Sequence, residues 1–412
     1  MSKIVLITSG QPSLNPRLVK EADALVEAGY EVTLIYQYWN DWATIADETL
    51  IASKKWKAIR VGGTPDTNRF SYWKLRIISK IANILSRKIG LKYHLAELSI
   101  GRCAMALSRK ACKISSDLYI AHNLAALPAA VNAAKRNKAK SGFDAEDLHR
   151  YEMSNKATDI HVKLKKFIEE KYFPKVDYLT TSSPQIAAYY KKLFPKLIFN
   201  GILNVFPKQE NLTIKTSNNH AIKLVWFSQN VGLSRGLQDV FTALKKLQEF
   251  EIEFYILGYL SDVMKQKFEE ITHHLQFNHP PKIFFQAPIH PDDVQNYLNQ
   301  FDIGLATEPA FSINNDSALS NKIFTYIQAG LAVIASDTTA QSSLLEEYPN
   351  MGMIYKKNDP ASLSKVIKTY LEDRTLLLAH QKQAKKYADE ELNWEVEKLK
   401  FLNIVEQTLA TI

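Results

Sequence analysis

IVLITSGQPSLNPRLVKEADALVEAGYEVTLIYQ, residues 4–37, sets the fold class. The stretch opens on IVLITS, an apolar run of the length and composition of a strand buried on both faces. A polar turn over 10–15 follows, and then a helix from about Pro16 to Ala28. Pro16 suits the first helical turn, where its missing N–H is not needed, and Gly29 suits the position just past the end. EVTLIYQ returns as a second strand. This β-α-β start is the unit from which parallel sheets with helices on both faces are built.

The alternation continues outward. DLYIAHN (117–123), SGFDAEDLH (141–149), DYLTTSS (177–183) and LIFNGILNVFP (197–207) read as strands, with helices over 124–136, 162–172 and 184–193. It stops at Pro207. KQENLTIKTSNNH, 208–220, is polar and aperiodic and reads as a linker. Beyond it come the strands IKLVWFSQ, EIEFYILG, KIFFQAP, DIGLATE, LAVIASD and MGMIYKK. The helices here fall at 237–250, 262–275, 291–300, 321–329, 360–372, 374–390 and 394–412. The expected architecture is α/β: two Rossmann-like domains, 1–207 and 221–393, whose strand ends face a central cleft. The last helix, 394–412, is expected to pack back on the first domain.

Composition agrees with this. A chain of 412 residues exceeds what one hydrophobic core usually serves, and 46% hydrophobic with 23% charged residues excludes disordered and fibrous classes. Cys103 and Cys112 lie in a region that reads as helical, outside any metal-ligand spacing, and are expected as buried small residues in a reducing cytoplasm. The apolar run at the amino terminus is too short for a signal peptide, and no run approaches the roughly 20 apolar residues of a membrane span. The expected location is cytoplasmic, peripheral at the inner membrane face.

The net charge of +9 favours an anionic partner. RFSYWKLRIISKIANILSRKIGLK, 69–92, carries seven Lys or Arg and no acid, so the charge is concentrated. Trp73, Ile77, Ile81, Ile84 and Leu85 recur at helical steps between the basic residues, and Tyr72 and Trp73 suit a headgroup layer. An anionic membrane surface and a core-packed helix with a solvated basic face both fit this pattern. Nucleic acid is not expected, because no nucleic-acid fold signature accompanies the charge.

Chemistry is sought in the loops leaving strands. After DIGLATE a polar loop leads to a helix starting near Asn321. Its unpaired first-turn N–H groups, with Ser320 ahead and Lys322 beside them, make an anion site. An ordinary N-cap at Ser320 or Asn321 is the plainer reading. In the first half His122 ends a buried strand whose carboxyl end would face the cleft, a hydrogen-bonded core imidazole being the plainer reading, and Asp144, Glu146 and Asp147 follow the next strand. These carboxylates have the chemistry of general bases for a hydroxyl, or of a solvated loop. No Asp-x-Asp pair or zinc spacing occurs, so neither a catalytic metal nor a tightly bound cofactor is expected.

SNKIFTYIQAGLAVIASD, 320–337, is similar to the donor-site helix of GT-B glycosyltransferases, in particular the large retaining family called group 1. That family places a lysine and a glutamate before an aromatic residue and an alanine-glycine-x-proline-valine turn. Here Gly330 holds the glycine position, Ala332 replaces the proline and Val333 follows. WFSQNVGLSRGL (226–237) resembles the family's phosphate loop, YILGYL its strand with a following glycine, and KIFFQAPIHPDDV the segment whose backbone meets the nucleobase. AHNLAALPAA and YLTTSSPQIAAYY with NVFP resemble first-half elements, so the likeness runs from Met1 to about Trp394.

The resemblance implies a nucleotide-diphosphate sugar as co-substrate and a hydroxyl acceptor, lipid-linked if 69–92 meets a membrane. It implies donor contacts at Gly10, Gln229, Asn230, Arg235, Gly258, Gln286, Ala287, Glu308, Ser320, Asn321, Lys322 and Thr325. His122, with Asp144, Glu146 and Asp147, falls on the catalytic side, and Glu146 stands where the family has a histidine. The chain departs from the family at Ser317 and Thr325, where two glutamates are usual and the second contacts the donor ribose. Glu308 is the nearest acid. A sugar-nucleotide epimerase of the same architecture and a non-catalytic binding subunit are the rival readings.

Overall fold

The computed structural model describes residues 2–209, 211–214 and 221–411. Most of the linker reading at 208–220 lies outside the described residues. Two compact units are present, one made of Met1–Leu203 and Lys398–Ile412, the other of Asn204–Glu397.

The first unit holds a seven-stranded sheet: β1 (Lys3–Thr8), β2 (Glu31–Gln37), β3 (Lys57–Val61), β4 (Leu118–His122), β5 (Lys140–Ala145), β6 (Tyr178–Thr181) and β7 (Phe199–Gly201). The order is β3-β2-β1-β4-β5-β6-β7, with every pair parallel. Ile4 to Ile7 of β1 are buried, as a strand with helices on both faces requires. The order reverses between β1 and β4, so these two strand ends open a crevice of the kind in which α/β sheets bind ligands. The helix Pro16–Glu27 starts with Asn15 as its cap, the Asn15 side chain accepting from Leu18 N at 3.0 Å.

The second unit repeats the plan with β8 (Ile222–Asn230), β9 (Ile252–Tyr259), β10 (Lys282–Gln286), β11 (Ile303–Ala306), β12 (Ala332–Ser336) and β13 (Gly352–Tyr355), in the order β10-β9-β8-β11-β12-β13. Trp226, Phe241, Phe254 and Phe268 anchor one face of its core. The switch point lies between β8 and β11, the strands that lead to Arg235 and Glu308.

Several readings need correction. Asp41–Ala52, β3, Leu95–Ile100, Ala104–Ala111 and Thr339–Glu347 are regular elements that the strand–helix reading passed over. The strand expected over 197–207 shrinks to Phe199–Gly201. Cys103 is buried, but Cys112 caps a helix end and is half-buried. Among the described residues no helix is long and apolar enough to cross a membrane.

Candidate functional site

Parallel register brings a row of polar residues to the carboxyl edge of the first sheet. Thr8 pairs with His122, His122 with Asp144, and Asp144 with Thr180. One turn of the helix Pro16–Glu27 adds Arg17 and Glu21 from a buried face. The Arg17 guanidinium grips Asp144 with two hydrogen bonds, at 2.6 and 2.8 Å, and gives a third to the Ile202 carbonyl at 2.7 Å. Thr180 donates to the same carboxylate at 2.6 Å. His122 Nε2 lies 3.0 Å from Glu21, and its Nδ1 faces Glu146 at 3.4 Å and Asp144 at 3.5 Å.

Burial sets the electrostatics. Removal from water opposes a charged imidazole, but Glu21, the Glu146 hydrogen bond and Asp144 outweigh it and push the His122 pKa up to about 10. Burial likewise raises the Glu21 pKa, against the pull of His122. For Asp144 burial is overcome by the Arg17 charge, and its pKa is lowered. His122 is fully buried, whereas the Glu146 side chain is 25% exposed. Glu146, which also accepts from Asn15 at 2.8 Å, is therefore the member of this cluster that can touch a substrate.

Glu21, His122 and Asp144 offer ligand atoms within 4.8 Å of one another, as do Asp147, His149 and Glu152. The first group already contains the Arg17 cation, bonded to Asp144 and 3.5 Å from Glu21, which leaves little reason for a metal ion. Asp147 belongs to the second group, where the Tyr190 hydroxyl bonds its carbonyl at 3.3 Å and the His149 N–H at 3.0 Å. Gly10 lies in the turn after β1, its N–H bonded to Thr8 Oγ1 at 3.1 Å. Arg17 and Glu21 were missed in the sequence. Their signal is that two charges four apart fall on the face of the helix that also carries Leu18, Ala22 and Leu25.

In the second unit the carboxyl ends of β8 and β11 are locked together. The Thr307 hydroxyl donates to the Arg235 carbonyl at 2.7 Å. Gly236, at φ +76, lies so close to the Thr307 carbonyl that a Cβ would sit 2.3 Å from its oxygen. The next residue beyond Thr307 is Glu308, 6% exposed. It accepts from Lys322 Nζ at 2.6 Å, from Ser320 Oγ at 3.2 Å and from Asn315 Nδ2 at 3.2 Å. Burial alone would raise its pKa, but Lys322, Asn315 and Arg235 outweigh that and bring it down to about 2. Lys322 Nζ also lies over the Trp226 ring, 5.5 Å from its centroid.

Lys322 is thus largely buried and engaged by Glu308, while the Arg235 side chain is exposed. Asn321 is exposed at the start of Asn321–Gln328, and Ser320 makes no side-chain cap to that helix, giving its hydroxyl to Glu308 instead. Thr325 is buried, its hydroxyl bonded to the Asn321 carbonyl at 3.1 Å. Gln229 and Asn230 are exposed at the end of β8, and Gln286 and Ala287 at the end of β10. Gly258 is buried beside the irregularity between β8 and β9. The arrangement gathers one buried carboxylate, two cations and an open helix start, a set suited to a ligand with hydroxyls and negative charge.

Residues 223–373 match the family model described as glycosyl transferases group 1. No curated protein matches the chain. Among solved structures it is similar to sucrose-phosphate synthase from Thermosynechococcus elongatus, at 14% identity and a TM-score of 0.71 with 100% of both chains covered. It is also similar to Anabaena HepE in complex with UDP, at 14% identity and a TM-score of 0.69, again over 100% of both chains. A point mutant of S. aureus TarM in complex with Fondaparinux, alpha-GlcNAc-glycerol and UDP shares 12% identity at a TM-score of 0.69 over 99% of this chain and 100% of its own. The chain has the GT-B fold, and the match to the group 1 family model lies within its second unit.

Proposed function

We propose that this protein transfers a sugar from a nucleotide-diphosphate donor to a hydroxyl acceptor. The observation that supports it best is the Arg235–Glu308–Lys322 arrangement at the switch point of the unit that matches the group 1 family. In such a transfer the bond from the anomeric carbon to the diphosphate oxygen breaks, and the acceptor oxygen takes the carbon. The charge develops on the leaving diphosphate. Arg235 and the amides at the start of Asn321–Gln328 are the groups to stabilise it, the role in which fixed charges and dipoles contribute most.

Glu308 takes the place of the missing carboxylates at 317 and 325 as the acceptor of sugar or ribose hydroxyls, and Lys322 keeps it ionised. In the first unit Glu146 is the carboxylate able to receive the acceptor's proton. Retention of anomeric configuration, independence of metal, a lipid-carried acceptor and work in polysaccharide or glycoconjugate synthesis at an anionic membrane face complete the reading. The HepE structures contain UDP and UDP-glucose, so uridine donors head the panel to be tried.

The test incubates the full chain with nucleotide sugars and hydroxyl acceptors and identifies products by mass spectrometry. Acceptor-dependent release of nucleoside diphosphate with a glycosylated product is expected. An isomerised donor without acceptor would identify an epimerase instead, and absence of both binding and turnover would leave a binding subunit.

A further inference from the structure

The helix Arg69–Ile89 turns an unusual face to the protein. Its buried positions are Leu75, Ser79, Ala82 and Ser86, one large apolar side chain and three small ones. Asn83 fastens this side by donating to the Ser99 carbonyl at 3.1 Å. The bulky apolar residues look outward: Phe70 is 78% exposed, and Trp73, Ile77, Ile81, Ile84 and Ile89 are 48–62% exposed. At steps of three to five residues they form one continuous stripe along the helix. A core-packed helix would bury these residues and expose the serines. Such a patch on a soluble surface marks a contact with another apolar phase.

Beside the first turn of that helix lies a cavity of about 820 Å³. Arg60, Lys74, Arg109, Lys110 and Lys113 line it, and no carboxylate does. Among the described residues none of the five forms an ion pair. Phe70 and Lys74 belong to the cavity wall and to the helix alike, so apolar stripe and cationic cavity form one surface.

We infer that this surface docks the protein on an anionic bilayer, the stripe lying at the acyl boundary and a lipid phosphate entering the cavity. Charge complementarity selects the occupant. A second copy packed face to face would bring five cations against five more. A nucleic acid would leave the stripe in water, and a free phosphate would have no use for it. A bilayer satisfies both halves of the surface at once. The inference names the partner of the membrane clause above and stands independently of the sugar chemistry.

The test sediments the full chain with phosphatidylcholine vesicles, with and without about a third phosphatidylglycerol, at low and high salt. Binding is expected only with the anionic lipid and is weakened by salt. The combined variant Lys74→Ala, Arg109→Ala, Lys113→Ala is expected to lose on the order of a hundredfold in partition, from about tenfold or less per basic residue. Ile77→Ser with Ile81→Ser is expected to lose at least roughly tenfold, through apolar area alone. All five of these side chains are exposed, so thermal melting should match wild type, and nucleotide-sugar binding in solution should be unchanged. Equal sedimentation with neutral vesicles, or wild-type partition of the basic variant, would overturn the inference. So would full partition of the isoleucine variant with displacement by millimolar inorganic phosphate, which would mark a small-anion site instead.

Discussion

Glu308 holds Lys322 in a buried ion pair, and pH tests that pair. The Glu308 pKa falls from 4.5 to about 2 on folding, so it contributes stability that is complete above pH 4.5 and is lost as pH falls toward 2. The shift corresponds to roughly 3 kcal/mol. Glu308→Gln leaves Lys322 buried beside a neutral amide and should lower stability by about 3 kcal/mol at neutral pH. The gap to wild type in denaturant melts should narrow steadily below pH 4.5. A gap independent of pH would mean that the ion pair is not the source. His122 works with the opposite sign. Its pKa rises from 6.5 to about 10, so its contribution is complete below pH 6.5 and disappears as pH climbs through 10.

Arg17→Ala should destabilise by about 3–5 kcal/mol, because it strands the buried Asp144 carboxylate; calorimetric melting measures it. At this scale the sequence was readable where chemistry lies at strand ends. His122, Asp144 and Glu146 come together because parallel register puts them there. Burial was readable in part: a core imidazole was one reading of His122, which is fully buried, but nothing in the sequence showed that Lys322 is taken up by a carboxylate fourteen residues earlier.

Elements set these residues, and their close approaches are testable. Gly304 of β11 faces the Tyr326 ring, where a Cβ would fall 2.1 Å from Cγ, and the Tyr326 hydroxyl bonds the Leu305 carbonyl at 3.0 Å. Gly304→Val should push the helix Asn321–Gln328 off β11. The expected cost is about 2–3 kcal/mol in melts, with weakened nucleotide binding. Unchanged binding would show that the helix start does not hold the ligand.

Several helices were legible to the residue, Asp262–Leu275 and Arg374–Glu390 among them, because long apolar periodicity and flanking caps agree. Short elements such as β3 and Leu95–Ile100 give too few periods to read. For Arg69–Ile89 periodicity found the helix but not which face the protein buries, since packing decides that.

For the whole molecule, repeated β-α alternation pointed to two parallel sheets, and the structure adds their order, shared by the first six strands of each with a seventh strand at the edge of the first. Identity of 10–15% to the solved structures shows why fold was easier to read than donor. The order of strands survives many substitutions, whereas the donor depends on a few side chains such as Thr325 and Glu308. The central claim is that this switch point holds a nucleotide-diphosphate sugar. Isothermal calorimetry of the full chain against a panel of such sugars tests it most directly. The account predicts saturable binding of at least one, weakened about tenfold (about 1.4 kcal/mol) by Arg235→Ala. Absence of binding across the panel, or affinity indifferent to Arg235→Ala, would contradict it.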